Sequence, residues 1–243
     1  MTNETPKDWQ RKPWVQLLAI LIGIGPVYIP TIIFHLRSEE PMSVKGALFY
    51  MTVLGSVMIV VMLLLLKYLC GERIRDLNLK PGNWRKDILV GIGLMVLSLG
   101  TFMLLREPIY SAFPSAPGGG LREFFDELLR SPMLFALIIG PGLIIGAGVF
   151  EELTRVFLLT RLWNMSPSRD WRWFGIAVSV VLFGLIHVYQ GPAGMVLTGI
   201  SGLIYAVYYY HAGRVVPLMI AHYLHDAVQF AAAYLPAVAS RPS

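Results

Sequence analysis

Residues 133–163 read MLFALIIGPGLIIGAGVFEELTRVFLLTRLW, an apolar run that carries no charge up to Phe150. A bilayer core of about 30 Å needs roughly 20 apolar residues in helical form, so the run predicts a transmembrane helix. At about 1.5 Å per residue it would be roughly 45 Å long, and Gly140-Pro141-Gly142 predicts either a break or a kink. The charged residues that follow Phe150 therefore lie at membrane depth, where they need a partner or water.

The whole chain follows the same pattern. Of its 243 residues, 56% are hydrophobic and only 14% are charged, and the mean hydropathy is +0.61. Backbone groups in lipid have no water partner, so each apolar block is expected to be helical. The sequence predicts an all-α, polytopic bundle with about seven spans (six to eight). The expected spans are residues 14–34, 47–70, 88–105, 133–163, 173–189, 194–211 and 216–235.

No repeat or second domain is evident, so residues 1–243 are predicted to form one transmembrane domain with a motif-bearing core at about 132–235. Residues 71–87 carry charges, but Ile74, Leu77, Leu79 and Trp84 favour a segment on the headgroups. A Pro/Gly-rich stretch follows at 114–120. Residues 121–130 then predict a short amphipathic helix.

Charge indicates the orientation and excludes some partners. The formal net charge is +5. With seven spans and a cytoplasmic N-terminus, most of the 20 Lys and Arg residues fall on the inner side, as the positive-inside rule requires. The prediction is a multi-pass protein of the cell membrane. No basic stripe with interleaved aromatic residues indicates nucleic-acid binding, and a single cysteine excludes an internal disulfide.

Glu151, Glu152 and Arg155 lie in the fourth block. Arg155 is four residues after Glu151 and three after Glu152, so either acid can face it on a helix. A Glu152–Arg155 pair is expected, either as a structural salt bridge near the interface or as support for a site. One arginine cannot neutralise two buried acids, which makes the other acid a candidate general base.

Histidines occur on two later helices. Phe183 and His187 are one turn apart, as are His222 and Asp226. A lone histidine such as His187 is more often a structural core residue, whereas the His222–Asp226 pair fits a structural and a functional role equally. His225 could compete with its neighbour His222. The two remaining histidines, His35 and His211, fall at helix ends and are predicted to be interfacial.

Helix geometry allows Glu151, His187 and His222 to reach one depth near mid-membrane. Ionisable groups are rare inside membranes, so their presence on three helices indicates a shared polar site. A carboxylate and two imidazoles in one pocket could activate water, donate protons and stabilise an oxyanion.

The ordered motifs Glu-Glu-x-x-x-Arg, Phe-x-x-x-His and His-x-x-x-Asp resemble the CPBP family, also called Abi. That family includes the type II CAAX prenyl endopeptidases and bacteriocin-processing and self-immunity proteins. The resemblance covers about the last 100 residues and implies an intramembrane glutamic endopeptidase. Its substrate would be a peptide or protein in or near the bilayer, with or without a lipid modification.

The resemblance also implies roles for individual residues. Glu151 would activate water with help from His187, while His222 and Asp226 would stand where the family stabilises the oxyanion. Glu152 and Arg155 would support the site. The eukaryote-like members have Asn at the last position, and an ionised Asp226 cannot donate a hydrogen bond. Asp226 would therefore be protonated or would orient His222.

No cofactor is predicted, and metal-free catalysis is preferred on the resemblance. A Zn²⁺ held by Glu151, His187 and His222 is the alternative, since three protein ligands are typical of catalytic zinc. Two other functions stay open: a non-catalytic immunity or membrane scaffold protein, and a transporter that relays protons. The transporter is disfavoured because no inverted repeat is visible.

Overall fold

The computed structural model describes residues 7–37, 43–77, 83–113 and 121–239, and these are helical apart from short connections. Within these residues, two separate 3-10 helices, Asp8–Arg11 and Ile74–Leu77, accompany nine longer helical segments, and a third 3-10 helix, Val188–Gln190, forms the first turn of the eighth of these. The nine are α1 (Pro13–Gly23), α2 (Gly25–Arg37), α3 (Val44–Leu69), α4 (Trp84–Ala112), α5 (Leu121–Arg130), α6 (Pro132–Trp163), α7 (Arg169–Ile186), α8 (Val188–Ala212) and α9 (Val216–Ala239). The all-α prediction is confirmed for this part of the chain.

Helices α3, α4, α6 and α8 are long and apolar enough to cross a membrane. The pair α1 and α2 counts as a fifth span if the two are taken together, although they bend by 54° rather than forming the one helix predicted for residues 14–34. The predicted seven spans are therefore not confirmed; the described residues contain four or five. Charges at the start of α7 and polar site residues in α9 make those two helices less apolar.

Polar side chains and glycines mark the helix ends. Ser43, Asn83, Ser131 and Ser168 each accept a hydrogen bond from a backbone N–H in the first turn that follows. Gly213 ends α8 with φ of 61°, a left-handed conformation that glycine adopts without strain. The predicted amphipathic helix 121–130 is present as α5, whereas residues 114–120 and Leu79 lie outside the described residues.

Helix α6 occupies the centre of the bundle and is continuous through Gly140-Pro141-Gly142. Its turns widen to π-helix at Ile138–Gly142 and again at Ile144–Glu151. Pro141 has no N–H to donate, and wider turns accommodate it without breaking the helix. The regular α-helix resumes at Glu152, and the side chains from Glu152 to Leu159 are all buried.

Around α6, helix α4 packs along α9, and α7 packs along α8. Asp87 at the start of α4 accepts two hydrogen bonds from Arg214, which lies between α8 and α9. The Nε–Oδ1 and Nη2–Oδ2 distances are 2.9 and 2.6 Å. This contact raises the pKa of Arg214 above its ordinary value, because the guanidinium donates to a carboxylate. It holds α9, which carries two of the predicted site residues, in register with α4.

Candidate active site

The site begins where the π-helical turns of α6 end. Glu151 is the last residue of the widened segment, and Glu152 is the first of the regular helix. His187 follows the last residue of α7, and His222 lies in α9. The structure brings these four side chains together.

Glu152 and Arg155 form the expected pair, and both side chains are buried in the protein. Arg155 donates from Nε to Oε2 at 3.0 Å and from Nη2 to Oε1 at 3.1 Å. Its Nη1 donates to the carbonyl of Gly202 at 3.3 Å, and its Cζ lies 4.0 Å from the centre of the Phe183 ring. Two hydrogen bonds in parallel keep both the acid and the base charged while they are out of water.

His222 is held by the same carboxylate. Its Nδ1 lies 2.7 Å from Oε1 of Glu152, so that nitrogen carries the hydrogen and donates it to an acid already ionised by Arg155. The bond fixes the orientation of the ring. As a result, Nε2 points to the opposite side, where it faces Glu151 and Asp226.

His187 is oriented by backbone. Its Nδ1 lies 2.7 Å from the carbonyl oxygen of Phe183, one turn earlier. Because a carbonyl can only accept, Nδ1 must donate, and the second nitrogen, Nε2, is free to exchange a proton. That nitrogen lies 3.9 Å from Oε2 of Glu151.

Both imidazole rings direct their Nε2 atoms towards Oε2 of Glu151. It lies 3.9 Å from Nε2 of His187 and 3.8 Å from Nε2 of His222, and it is buried with no hydrogen-bond partner among the described residues. These separations are too long for direct hydrogen bonds. They suit groups that share one small hydrogen-bonded molecule, such as water.

Asp226 lies at the edge of this group. Its Oδ2 is 3.8 Å from Nε2 of His222, which is not a hydrogen bond. Glu152, rather than Asp226, therefore orients the imidazole. The Asp226 side chain keeps 27% of its surface exposed, so it borders the site on the side open to solvent or substrate.

His225 belongs to a different network. Its Nδ1 lies 2.8 Å from Oγ of Ser98 in α4, and that hydroxyl is 3.0 Å from the Tyr205 hydroxyl. It therefore does not compete with His222 for the carboxylates. His211 is exposed, whereas His35 is partly buried, with its ring 5.5 Å from that of Tyr189.

Sequence reasoning missed two tyrosines beside the site. The Tyr189 ring, at the start of α8, lies 5.8 Å from the His187 ring, and the Tyr50 ring, from α3, lies 6.3 Å from the ring of Phe150, the residue before Glu151. Neither tyrosine lies in a recognisable motif, and only the tertiary fold brings them to the site.

Replacing Gly202 with Ala is expected to destabilise the protein through Arg155. A Cβ there would lie 2.9 Å from Arg155 Nη1 and 2.9 Å from Phe183 Cδ1, so one of these groups must shift. We expect a loss of about 1–3 kcal/mol in the free energy of unfolding. Chemical unfolding in detergent measures it.

Gly199→Ala is the matched control, one turn earlier on the same helix. Its Cβ would meet only ordinary contacts, the nearest being the Val180 carbonyl at 3.7 Å. Alanine favours a helix over glycine by the same amount at both positions, so this contribution to stability cancels when the two variants are compared. Equal stability of the two variants would show that the Arg155 contact does not constrain position 202.

The metal alternative requires a cluster of suitable ligands. Among the described residues, no group of three or more His, Cys, Asp or Glu side chains is arranged to hold a metal ion. Among the residues named for zinc, Oε2 of Glu151 lies 3.9 Å from Nε2 of His187 and 3.8 Å from Nε2 of His222.

The fold and the site together define a membrane-embedded helical protein with a buried carboxylate–imidazole cluster. Residues 132–228 match the family model described as type II CAAX prenyl endopeptidase Rce1-like. The match confirms the resemblance to the CPBP family over this segment, which contains the six predicted site residues and is less than half of the chain. The family implies a protease that acts in a membrane. No curated protein and no solved structure matches the chain significantly.

Proposed function

We propose that the protein is an intramembrane endopeptidase in which Glu151 activates the attacking water. The observation that carries the proposal is the unpartnered, buried Oε2 of Glu151, faced by the Nε2 atoms of two histidines at 3.8 and 3.9 Å. A carboxylate with an unused acceptor beside two oriented imidazoles is suited to general-base chemistry.

In the first step, water attacks the carbonyl carbon of the peptide bond while Glu151 takes one of its protons. His187 assists because its Nδ1 is held by the Phe183 carbonyl, which leaves Nε2 directed at Glu151. The products of this step are a protonated acid and a tetrahedral intermediate with a negatively charged oxygen.

The oxyanion is stabilised from the α9 side. His222 keeps Nδ1–H on Glu152, so a proton on Nε2 can be donated to the developing charge. Asp226, on the exposed edge of the site, contributes only in its protonated form, because an ionised carboxylate would repel the oxyanion. Collapse of the intermediate breaks the C–N bond, and the proton held by Glu151 passes to the leaving amine.

The position of the site along α6 supports a particular substrate class. Glu151 lies near the middle of a helix long enough to span the bilayer, so the scissile bond must reach membrane depth. A peptide with a lipid-modified or apolar end would satisfy this requirement. We propose such a peptide, with a prenylated CAAX sequence as the first compound to test.

The test is cleavage by the full-length protein in liposomes, followed by mass spectrometry. A farnesylated CAAX peptide, its unmodified counterpart and an apolar membrane-spanning peptide serve as probes. We expect cleavage of at least one probe, and none by the Glu151→Ala or His187→Ala variants. No cleavage of any probe, or full activity in both variants, contradicts the proposal. If the protein confers immunity to a bacteriocin and the two variants keep that immunity, the non-catalytic immunity or scaffold alternative is supported.

Metal dependence is a separate prediction. We expect the cleavage rate to be unchanged after incubation with EDTA or 1,10-phenanthroline, because the proposed steps use only protein groups and water. Loss of activity that added Zn²⁺ restores would instead support the three-ligand zinc site.

A further inference from the structure

A second polar network lies beside the active site and joins three helices. It consists of Ser98 in α4, Tyr205 in α8 and His225 in α9, which are 0%, 1% and 5% exposed. The Oγ atom of Ser98 lies 3.0 Å from the Tyr205 hydroxyl and 2.8 Å from Nδ1 of His225. None of these residues takes part in the proposed steps of the reaction, so the network needs a different explanation.

The directions of these hydrogen bonds follow from a backbone acceptor at the same junction. The Met95 carbonyl lies 3.1 Å from Ser98 Oγ and can only accept, so Ser98 donates its one hydrogen to it. In this arrangement the Ser98 oxygen accepts from the Tyr205 O–H and from Nδ1–H of His225. Each polar atom that meets at the junction is then bonded, as buried polar groups normally are.

The network contacts α9 at two positions. The Tyr205 ring lies 5.7 Å from the His222 ring, at 52° to it. His225 follows His222 by three residues on α9, so the two side chains point about 60° apart around the helix axis. Tyr205 therefore reaches α9 twice, once through its ring at His222 and once through its hydroxyl and Ser98.

Hydrogen bonds hold α9 from two sides. His222 donates from Nδ1 to Oε1 of Glu152 in α6 at 2.7 Å. His225 donates to Ser98 in α4 at 2.8 Å. A helix tied by one side chain can turn about that point, whereas two ties in different directions fix its rotation. The rotation matters because it sets where Nε2 of His222 lies, 3.8 Å from Oε2 of Glu151.

We propose that His225 is a positioning residue for the reaction. Its hydrogen bond to Ser98 sets the rotation of α9. That rotation turns His222 and Asp226 towards Glu151. The inference rests on the proposed function, because His225 acts through the two residues assigned to the oxyanion. A displacement of about 1 Å at a reacting group can cost about 10²-fold in rate, so a buried contact away from the reaction can control it.

The first experiment compares two variants of nearly the same shape, His225→Asn and His225→Leu, at a temperature where both are folded. The side-chain N–H of asparagine can take the position of Nδ1 and donate to Ser98, whereas leucine has no donor. We expect His225→Leu to lower kcat by about 10–100-fold with KM changed by less than about twofold, and His225→Asn to recover most of the loss. A purely structural role would change stability but leave kcat per folded molecule unchanged. Equal kcat in the two variants overturns the proposal.

Two variants in α4 test the other end of this hydrogen bond. Ser98→Ala and Thr101→Val each remove one hydroxyl, but the Thr101 hydroxyl donates within its own helix, to the Leu97 carbonyl at 2.8 Å. We expect Ser98→Ala to lower kcat about as much as His225→Leu, and Thr101→Val to stay within about twofold of the original protein. Similar rates for the two α4 variants contradict the proposal.

A measurement that needs no cleavage separates this proposal from the proposed function. Full-length protein with ¹⁵N-labelled histidine is studied by solid-state NMR in liposomes, and His222→Gln identifies the His222 signals. We expect the Nδ1–H signal of His222 to shift in Ser98→Ala and His225→Leu but not in Thr101→Val. Unchanged His222 signals in the first two variants overturn the positioning role. Shifted signals in a protein that cleaves no probe support the role of His225 in orienting His222 and reject only the peptidase function.

Discussion

Replacing Glu151 with Gln is expected to abolish peptide cleavage while the protein still folds. The change keeps the size of the side chain but removes the general base, which contributes about 10²–10⁴-fold to a rate. Stability should be retained, because Oε2 makes no hydrogen bond within the described protein. Single-turnover cleavage in liposomes and thermal unfolding of the same preparation measure the two effects.

Glu123→Gln is the control for this experiment, since it removes a carboxylate from an exposed position on α5. It should leave the cleavage rate within about twofold of the original protein. A Glu151→Gln variant that retains more than about a tenth of the original rate would be too active for the role assigned to this residue.

Replacing Glu152 with Gln is expected to produce the largest loss of stability. Glu152 accepts two hydrogen bonds from Arg155 and one from His222. The change therefore leaves a buried guanidinium without its counter-charge. Breaking a buried ion pair by removing one partner costs about 3–5 kcal/mol. Chemical unfolding in detergent gives the free energy directly.

The double variant Glu152→Gln/Arg155→Met separates charge burial from simple loss of packing. It removes the stranded cation, so part of the lost stability should return. If the double variant instead loses as much free energy of unfolding as the two single variants lose together, Glu152 and Arg155 do not stabilise each other as a charged pair.

The cluster could be predicted from the sequence because ionisable residues are rare in segments that are apolar enough to lie in lipid. Glu151, His187 and His222 are ionisable groups in apolar helices, and helix rise alone places them at similar depths. The Glu152–Arg155 pair follows from their i,i+3 spacing. The all-α architecture follows from the need of backbone groups for partners in a bilayer.

Other features depend on tertiary contacts that spacing does not contain. The choice of Glu152 rather than Asp226 as the partner of His222 depends on how α6 faces α9. The pairing of His225 with Ser98 depends on how α4 packs on α9. Neither orientation can be derived from one helix at a time.

The number of membrane spans could also be predicted only in part from the sequence. Apolar content identified α6 correctly, but it also led to two spans at α7 and α9 that are not confirmed. In α9, His222 contacts α6, His225 contacts α4, and Asp226 lies beside His222 at the edge of the site, so the composition of α9 reflects the site as much as the membrane. Hydropathy cannot separate these two causes.

In the proposed mechanism, Glu151 and His187 act on one water molecule. The most direct test compares the cleavage rates of Glu151→Gln, His187→Ala and the double variant against the original protein. Residues that act as a unit have strongly non-additive effects, so the double variant should be no slower than the slower single variant. If the two rate losses multiply instead, the residues act independently and the proposed mechanism is wrong.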